Sequence, residues 1–197
     1  MSPAHRPSEQ APILSFRTPK TWLGWLEKNH QSSTGVWLKI SKKTSPVKSV
    51  SYAEALEAAL CYGWIDAQKK GYDEVSWLQK FTPRGARSIW SRINREKVQA
   101  LIDSGRMQPA GLQAVERAKA NGQWEAAYDA QSSIEAPDDF QRELDNHPVA
   151  KKFFQGLNSI NRYAILHRIQ TAKKPETRAK RIRQFIEMLE KHQKIHP

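Results

Sequence analysis

Strand-like alternation is confined to the chain before Phe81; beyond it, apolar residues recur only at helical spacing. This one-sided distribution predicts an α+β fold: a small, mostly antiparallel sheet with helices on one face, followed by an all-helical C-terminal part packed on it. With 197 residues there is material for one ordinary core, or a core and a small appendage. Seven Trp, six Phe and five Tyr supply large apolar area in a chain whose hydrophobic share is only 39%.

Taken in order, the polar, proline-containing residues 1–12 read as a loose tail. Ile13 to Arg17 is a short first strand. Thr18 and Pro19 open a helix, because Thr caps well and Pro is tolerated where the N–H would be unpaired. From Val36 the pattern alternates, with Val36, Leu38 and Ile40 on one side and Trp37, Lys39 and Ser41 on the other. Ser51 and Glu54 have capping-box spacing, and the helix that follows stops at Gly63. Trp64–Lys70 and Val75–Phe81 read as a hairpin around Gly71. Its first strand is expected to place Ile65 and Ala67 under the helices and Trp64, Asp66 and Gln68 opposite. Asn94 is expected to cap the next helix, Pro109–Asn121 is another, Ser159 is expected to cap a later one, and Pro175 opens the last. The organisation is therefore a tail over 1–12, an α+β core over 13–124, a linker over 125–136 and a helical subdomain over 137–197.

The net charge of +12 calls for an anionic partner, either a small anionic molecule or nucleic acid. Cys61 is the single cysteine, so no internal disulfide forms. The start of the chain has no apolar run to act as a signal, and no window approaches the ~20 apolar residues of a membrane span. A cytoplasmic location is expected. No phosphate-binding glycine loop, nucleophile elbow or trusted metal spacing occurs, so no cofactor and no metal is expected.

Four places can carry chemistry. A sheet face with Trp37, Lys39, Trp64, Asp66 and Gln68 would resemble a stacking platform for single-stranded nucleic acid. The competing reading favours covered tryptophans, since the apolar stripes of the C-terminal helices need somewhere to pack. Asp66, set among apolar neighbours, needs a partner, and Arg84 or another group from residues 84–94 is the expected one. It is either a structural pair or an acid–base carboxylate. Arg84, Arg87, Ser88, Arg92 and Asn94, before a helix start, form a candidate anion site. Lys173, Lys174, Arg178, Lys180, Arg181 and Arg183 form the densest positive run and could follow a phosphate backbone, or simply be a solvated helix face.

Cys61-Tyr62-Gly63-Trp64-Ile65-Asp66, Phe81-Thr82-Pro83-Arg84 and Ser88-Ile89-Trp90-Ser91 with Asn94 resemble the YdeI/OmpD-associated, or bacteriocin-protection, family. So do Gly105-Arg106-Met107, Pro109-Ala110-Gly111, Gly122-Gln123-Trp124, and the later block Ala172-Lys173-Lys174, Glu176-Thr177-Arg178 and Arg181-Ile182. The resemblance implies an envelope-stress or defence setting and transfers no catalytic residue. It selects Trp64, Asp66, Pro83, Arg84, Ser88, Trp90, Asn94 and Arg178 as the residues to test first. Combined with the charge, the expectation is an anion-binding protein in a stress or protective role, with Trp64, Asp66, Arg84, Arg87, Ser88, Trp90 and Asn94 at the ligand. The alternative is a nucleic-acid-binding accessory protein using the last helix. An enzyme acting through Asp66 on a small anionic substrate is a third reading.

Overall fold

The computed structural model describes residues 11–197, so the first ten residues of the expected tail lie outside it. The elements run β1 (Ile13–Leu14), α1 (Pro19–Asn29), β2 (Val36–Ser41), α2 (Tyr52–Cys61), β3 (Trp64–Gly71) and β4 (Ser76–Pro83). Helices follow: α3 (Arg92–Asp103), α4 (Pro109–Ala120), α5 (Asp138–Asn146), α6 (Pro148–Gln155), α7 (Ser159–Gln170) and α8 (Pro175–Glu190). All strands precede all helices from α3 on, which is the α+β organisation that the patterning predicts. Two compact units result. One is the described part of Met1–Ser88 with Glu96–Trp124, the other Ile89–Arg95 with Glu125–Pro197.

In the first unit the strand order is β1-β2-β4-β3, with β1 parallel to β2 and the other pairs antiparallel. Both early helices start as expected. Thr18 caps α1 reciprocally with Thr21, and Ser51 caps α2 reciprocally with Glu54. Their apolar sides pack on one face of the sheet. Trp22 lies 5.7 Å from Phe81, its indole N–H donates to the Ala55 carbonyl at 3.0 Å, and Trp25 meets Trp64 edge-on at 5.9 Å. Gly111 lets α4 approach the end of α2 closely: a Cβ there would sit 2.2 Å from the Cys61 carbonyl oxygen.

The hairpin departs from the expected facing. Directly opposed residues of an antiparallel pair point to the same face. Val36 opposes Phe81, and Phe81 opposes Asp66; Trp64 opposes Pro83 two residues along. Trp64 and Asp66 therefore lie on the helix-covered face, and Ile65 lies on the other. The register then shifts between Asp66 and Lys69. This bulge adds one residue to β3 and reverses the alternation beyond it. Buried Gln79 steadies the bulge by donating from Nε2 to the Gln68 carbonyl at 3.1 Å.

Two helix starts also differ from expectation. Helix α3 begins at Arg92, and the Ser91 hydroxyl accepts from the Asn94 N–H at 3.2 Å, so Ser91 does the work expected of Asn94. For α7 the cap is Asn158, whose side chain accepts from the Asn161 N–H at 2.9 Å, so Ser159 is already inside the helix.

The second unit has its own core. Phe140, Leu144, Phe154, Ile165, Ile182 and Leu189 are buried together, with Phe153 and Phe185 packed against them. Polar contacts close it. Buried Asn161 accepts from the Ile195 and His196 N–H groups at 3.1 and 2.9 Å and so ties down the C-terminal segment. Asp129 binds Arg92 Nε at 2.8 Å and accepts from Gln170 Nε2 at 2.6 Å.

Candidate functional site

The sheet face turned away from α1 and α2 gathers cations and aromatic rings. Trp37 and Lys39 alternate outward from β2 because Val36, Leu38 and Ile40 are buried beneath. Lys80 on β4 directly opposes Trp37, and its ammonium lies 5.8 Å from the Trp37 ring centre. Past the bulge, Lys70 on β3 opposes Leu78, which itself opposes Lys39. Lys70 therefore extends across β4, and its ammonium sits 4.3 Å from the Trp37 ring centre. One indole thus holds two ammonium groups against its negative π-cloud.

The same face continues toward the hairpin tip. Lys39 Nζ lies 4.7 Å from the ring centre of exposed Tyr72 and 3.0 Å from Asp73 Oδ2. Asp73 also accepts from the Ser76 hydroxyl at 2.6 Å and the Val75 N–H at 3.0 Å. The Ser76 bond, then the Lys39 ammonium, push the Asp73 carboxyl down to about 2, so it is ionised at any working pH. Lys42 donates to the Asp73 and Glu74 carbonyls at 3.0 Å each and braces the tip. Among the described residues, Lys39, Lys70 and Lys80 gather on this face, and the Asp73 carboxylate is paired with Lys39. Lys39 and Lys80 are half-buried, and Lys70 is exposed.

The residues singled out from sequence are dispersed. Trp64 is a core residue, 1% exposed, with its indole N–H donating to the His30 carbonyl at 3.2 Å. Asp66 is half-buried and accepts from the Tyr52 hydroxyl at 2.9 Å; its partner comes from α2, and among the described ion pairs none includes Asp66. The expected Asp66–Arg84 pairing is thereby corrected, because the register turns Asp66 toward the helices. The main-chain N–H of buried Arg84 donates to the Gly63 carbonyl at 2.9 Å. The turn beyond it is held by Ser88 Oγ, which accepts from the Gly85 N–H at 3.0 Å, and by Asn121 Nδ2, which donates to the Ala86 carbonyl at 2.9 Å. Arg87 is exposed on that turn. Trp90 is buried, and its carbonyl accepts from the Tyr128 N–H at 3.0 Å; Asn94 is half-buried in the first turn of α3.

The positive run at α8 also divides. Arg178 grips Asp139 with Nε at 2.5 Å and Nη2 at 2.7 Å, and donates to the Ile169 carbonyl at 3.0 Å. That guanidinium holds the Asp139 carboxyl below the ordinary carboxylate range. Arg181 donates to the Arg168 carbonyl. Lys173, Lys174, Lys180 and Arg183 are exposed.

Sequence reading missed Lys70, Tyr72 and Lys80 as members of the aromatic face. A signal for Lys80 was present, since any hairpin register that buries Phe81 turns Lys80 outward. Lys70 had none, because the bulge that turns it leaves no mark on composition. Among the described residues no cluster of three or more His, Cys, Asp or Glu is placed to hold a metal ion. No helix of the described residues is long and apolar enough to cross a membrane.

The fold and this face define an α+β protein of two compact units with a cation- and aromatic-lined sheet surface. The chain belongs to the family described as Domain of unknown function (DUF8412), whose model matches residues 14–114, and residues 133–192 match the family described as Bacteriocin-protection, YdeI or OmpD-Associated. The YdeI/OmpD relation seen in the sequence thus rests on the C-terminal part with its Ala172–Ile182 block. The central stretch falls within the other family's match. No curated protein and no solved structure matches the chain.

Proposed function

We propose that this protein binds an anionic ligand on the lysine-bearing face of its sheet, in a protective role. The observation that supports the reading is the placement of the Lys70 and Lys80 ammonium groups beside Trp37. Neither lysine is recorded in an ion pair among the described residues, and cation–π attraction at an exposed site contributes only ~0.5–1 kcal/mol. Such ammonium groups are held in position yet remain able to meet a stronger partner, which is an anion. The bacteriocin-protection description attached to residues 133–192 supports the protective role.

Heparin affinity tests the binding. The wild-type protein is expected to be retained at about 50 mM salt and to elute as salt rises, because each neutralised phosphate or sulfate releases counterions. Combining Lys70→Glu and Lys80→Glu is expected to abolish retention while circular dichroism shows an unchanged fold. Undiminished retention of that variant would move the anion site elsewhere, and no retention of the wild type would remove the reading.

A further inference from the structure

We infer that the ligand of this sheet face is single-stranded nucleic acid, with one base stacked on Trp37 and flanking phosphates held by Lys70 and Lys80. The inference rests on the anion-binding reading above and adds what charge alone does not give. A small anion or a sulfated polysaccharide needs only cations. This face also presents flat π-surfaces, the half-buried indole of Trp37 and the exposed ring of Tyr72, on the same side of the sheet as the lysines. Unpaired bases seek such surfaces, and duplex DNA keeps its bases stacked inside.

The geometry provides a route for exchange. In the free protein the Lys70 ammonium lies 4.3 Å from the Trp37 ring centre, in the space an incoming base would take. Lys70 reaches that point by a long, exposed, flexible stem from the edge strand β3. An exposed cation–π contact is weaker than a base–aromatic stack, so a base displaces the ammonium, and the same lysine then meets the phosphate that arrives with it. Lys80, directly opposite Trp37 in the register, takes the phosphate on the other side. Lys39 stays with Asp73 and holds Tyr72 and the hairpin tip in place. Two phosphate contacts to a single strand correspond to a log–log salt slope of about −1.4.

Fluorescence anisotropy with a labelled mixed-sequence single-stranded DNA 20-mer, its duplex, and heparin as competitor tests the inference at about 50 mM salt. Trp37→Ala is expected to weaken single-strand binding about tenfold or more, and Trp37→Phe to keep most of it. Heparin retention should fall by less than the single-strand affinity does, because both lysines remain. Trp37→Leu keeps apolar bulk at this half-buried position and should lose affinity like Trp37→Ala, which guards against misfolding of the smaller variant. Equal single-strand affinity in wild type, Trp37→Ala and Trp37→Leu overturns the inference, as does a wild type that binds duplex as tightly as single strand. Heparin binding without single-strand binding overturns the inference and leaves the anion reading standing. Loss of both overturns the two together.

Discussion

The far face of the sheet and the start of α8 both gather cations, but engage them differently. At α8 two arginines face inward, while Arg183 is exposed: Arg178 is clamped to Asp139 and the Ile169 carbonyl, and Arg181 bonds the Arg168 carbonyl. They satisfy helix-end carbonyls and a carboxylate of their own unit, which is structural work. On the sheet, lysines lie over aromatic rings, and among the described residues only Lys39 of this face is tied to a carboxylate. The chemistry of the two side chains explains the difference. A guanidinium fork matches a carboxylate bidentately and is readily ordered, whereas an ammonium on a flexible stem remains available. Density of positive charge along a sequence therefore does not say which cations are already engaged; the contacts each one makes do.

The largest expected effect sets one region directly against the other. Lys173→Glu with Lys174→Glu changes net charge by as much as Lys70→Glu with Lys80→Glu. Only the sheet variant is expected to lose heparin retention; if the α8 variant loses more, the comparison inverts. Next comes stability. Arg178→Ala is expected to cost about 1–2 kcal/mol in urea unfolding, since hydrogen bonds to charged groups are the stronger kind. The value is discounted because Arg178 and Asp139 retain 27% and 35% side-chain exposure. Heparin retention should stay at wild-type level, and a falling retention would return Arg178 to the ligand surface.

A smaller effect is expected from Gln79→Ala, which removes the bond to the Gln68 carbonyl in the bulge and should cost about 1 kcal/mol. By loosening the element that turns Lys70 outward, it should also weaken heparin retention. Stability loss with unchanged retention would show that the bulge does not set the position of Lys70.

The smallest effects are pH-dependent and belong to the second unit. Burial, then the charges of Arg168 and Arg181, lower the pKa of His167 below 6.5; its ring packs edge-on against Tyr128 at 4.6 Å. The unfolded chain therefore takes up this proton at higher pH, and stability should begin to fall as pH drops through the unfolded value of about 6.5. Asp139 is depressed by Arg178, so its contribution is present above the ordinary carboxylate value and is lost as pH falls below it. Two separate declines in melting temperature on acidification are expected. His167→Gln should erase the first and Arg178→Ala should shrink the second. A first decline that survives His167→Gln would assign it to another group.

Local chemistry made much of this fold readable. Thr18 and Ser51 cap their helices through partners three residues away, and alternation from Val36 to Ser41 states which side is buried. The hairpin resisted for a physical reason. Trp64 and Ile65 are both apolar, so alternation alone does not say which of them faces the core. Pairing with Pro83 and Thr82 decides it, in favour of Trp64. The site was less legible still. Lys69 and Lys70 are adjacent and chemically alike, yet Lys70 joins Trp37, while Lys69 lies 4.5 Å from the Trp77 ring.

The sequence by itself determined the order of elements, the helix starts at Thr18 and Ser51, the α+β division near Phe81 and the net charge of +12. These depend on interactions within a few residues, on side-chain period or on total charge. Tertiary structure alone decided that Trp64 is core, that Asp66 turns to Tyr52, that Arg178 is clamped by Asp139 from 39 residues away, and that Lys70 crosses β4 to reach Trp37. Each of these depends on strand register or on a partner distant in the chain, and a single unpaired residue in a bulge is enough to exchange the two faces of a strand.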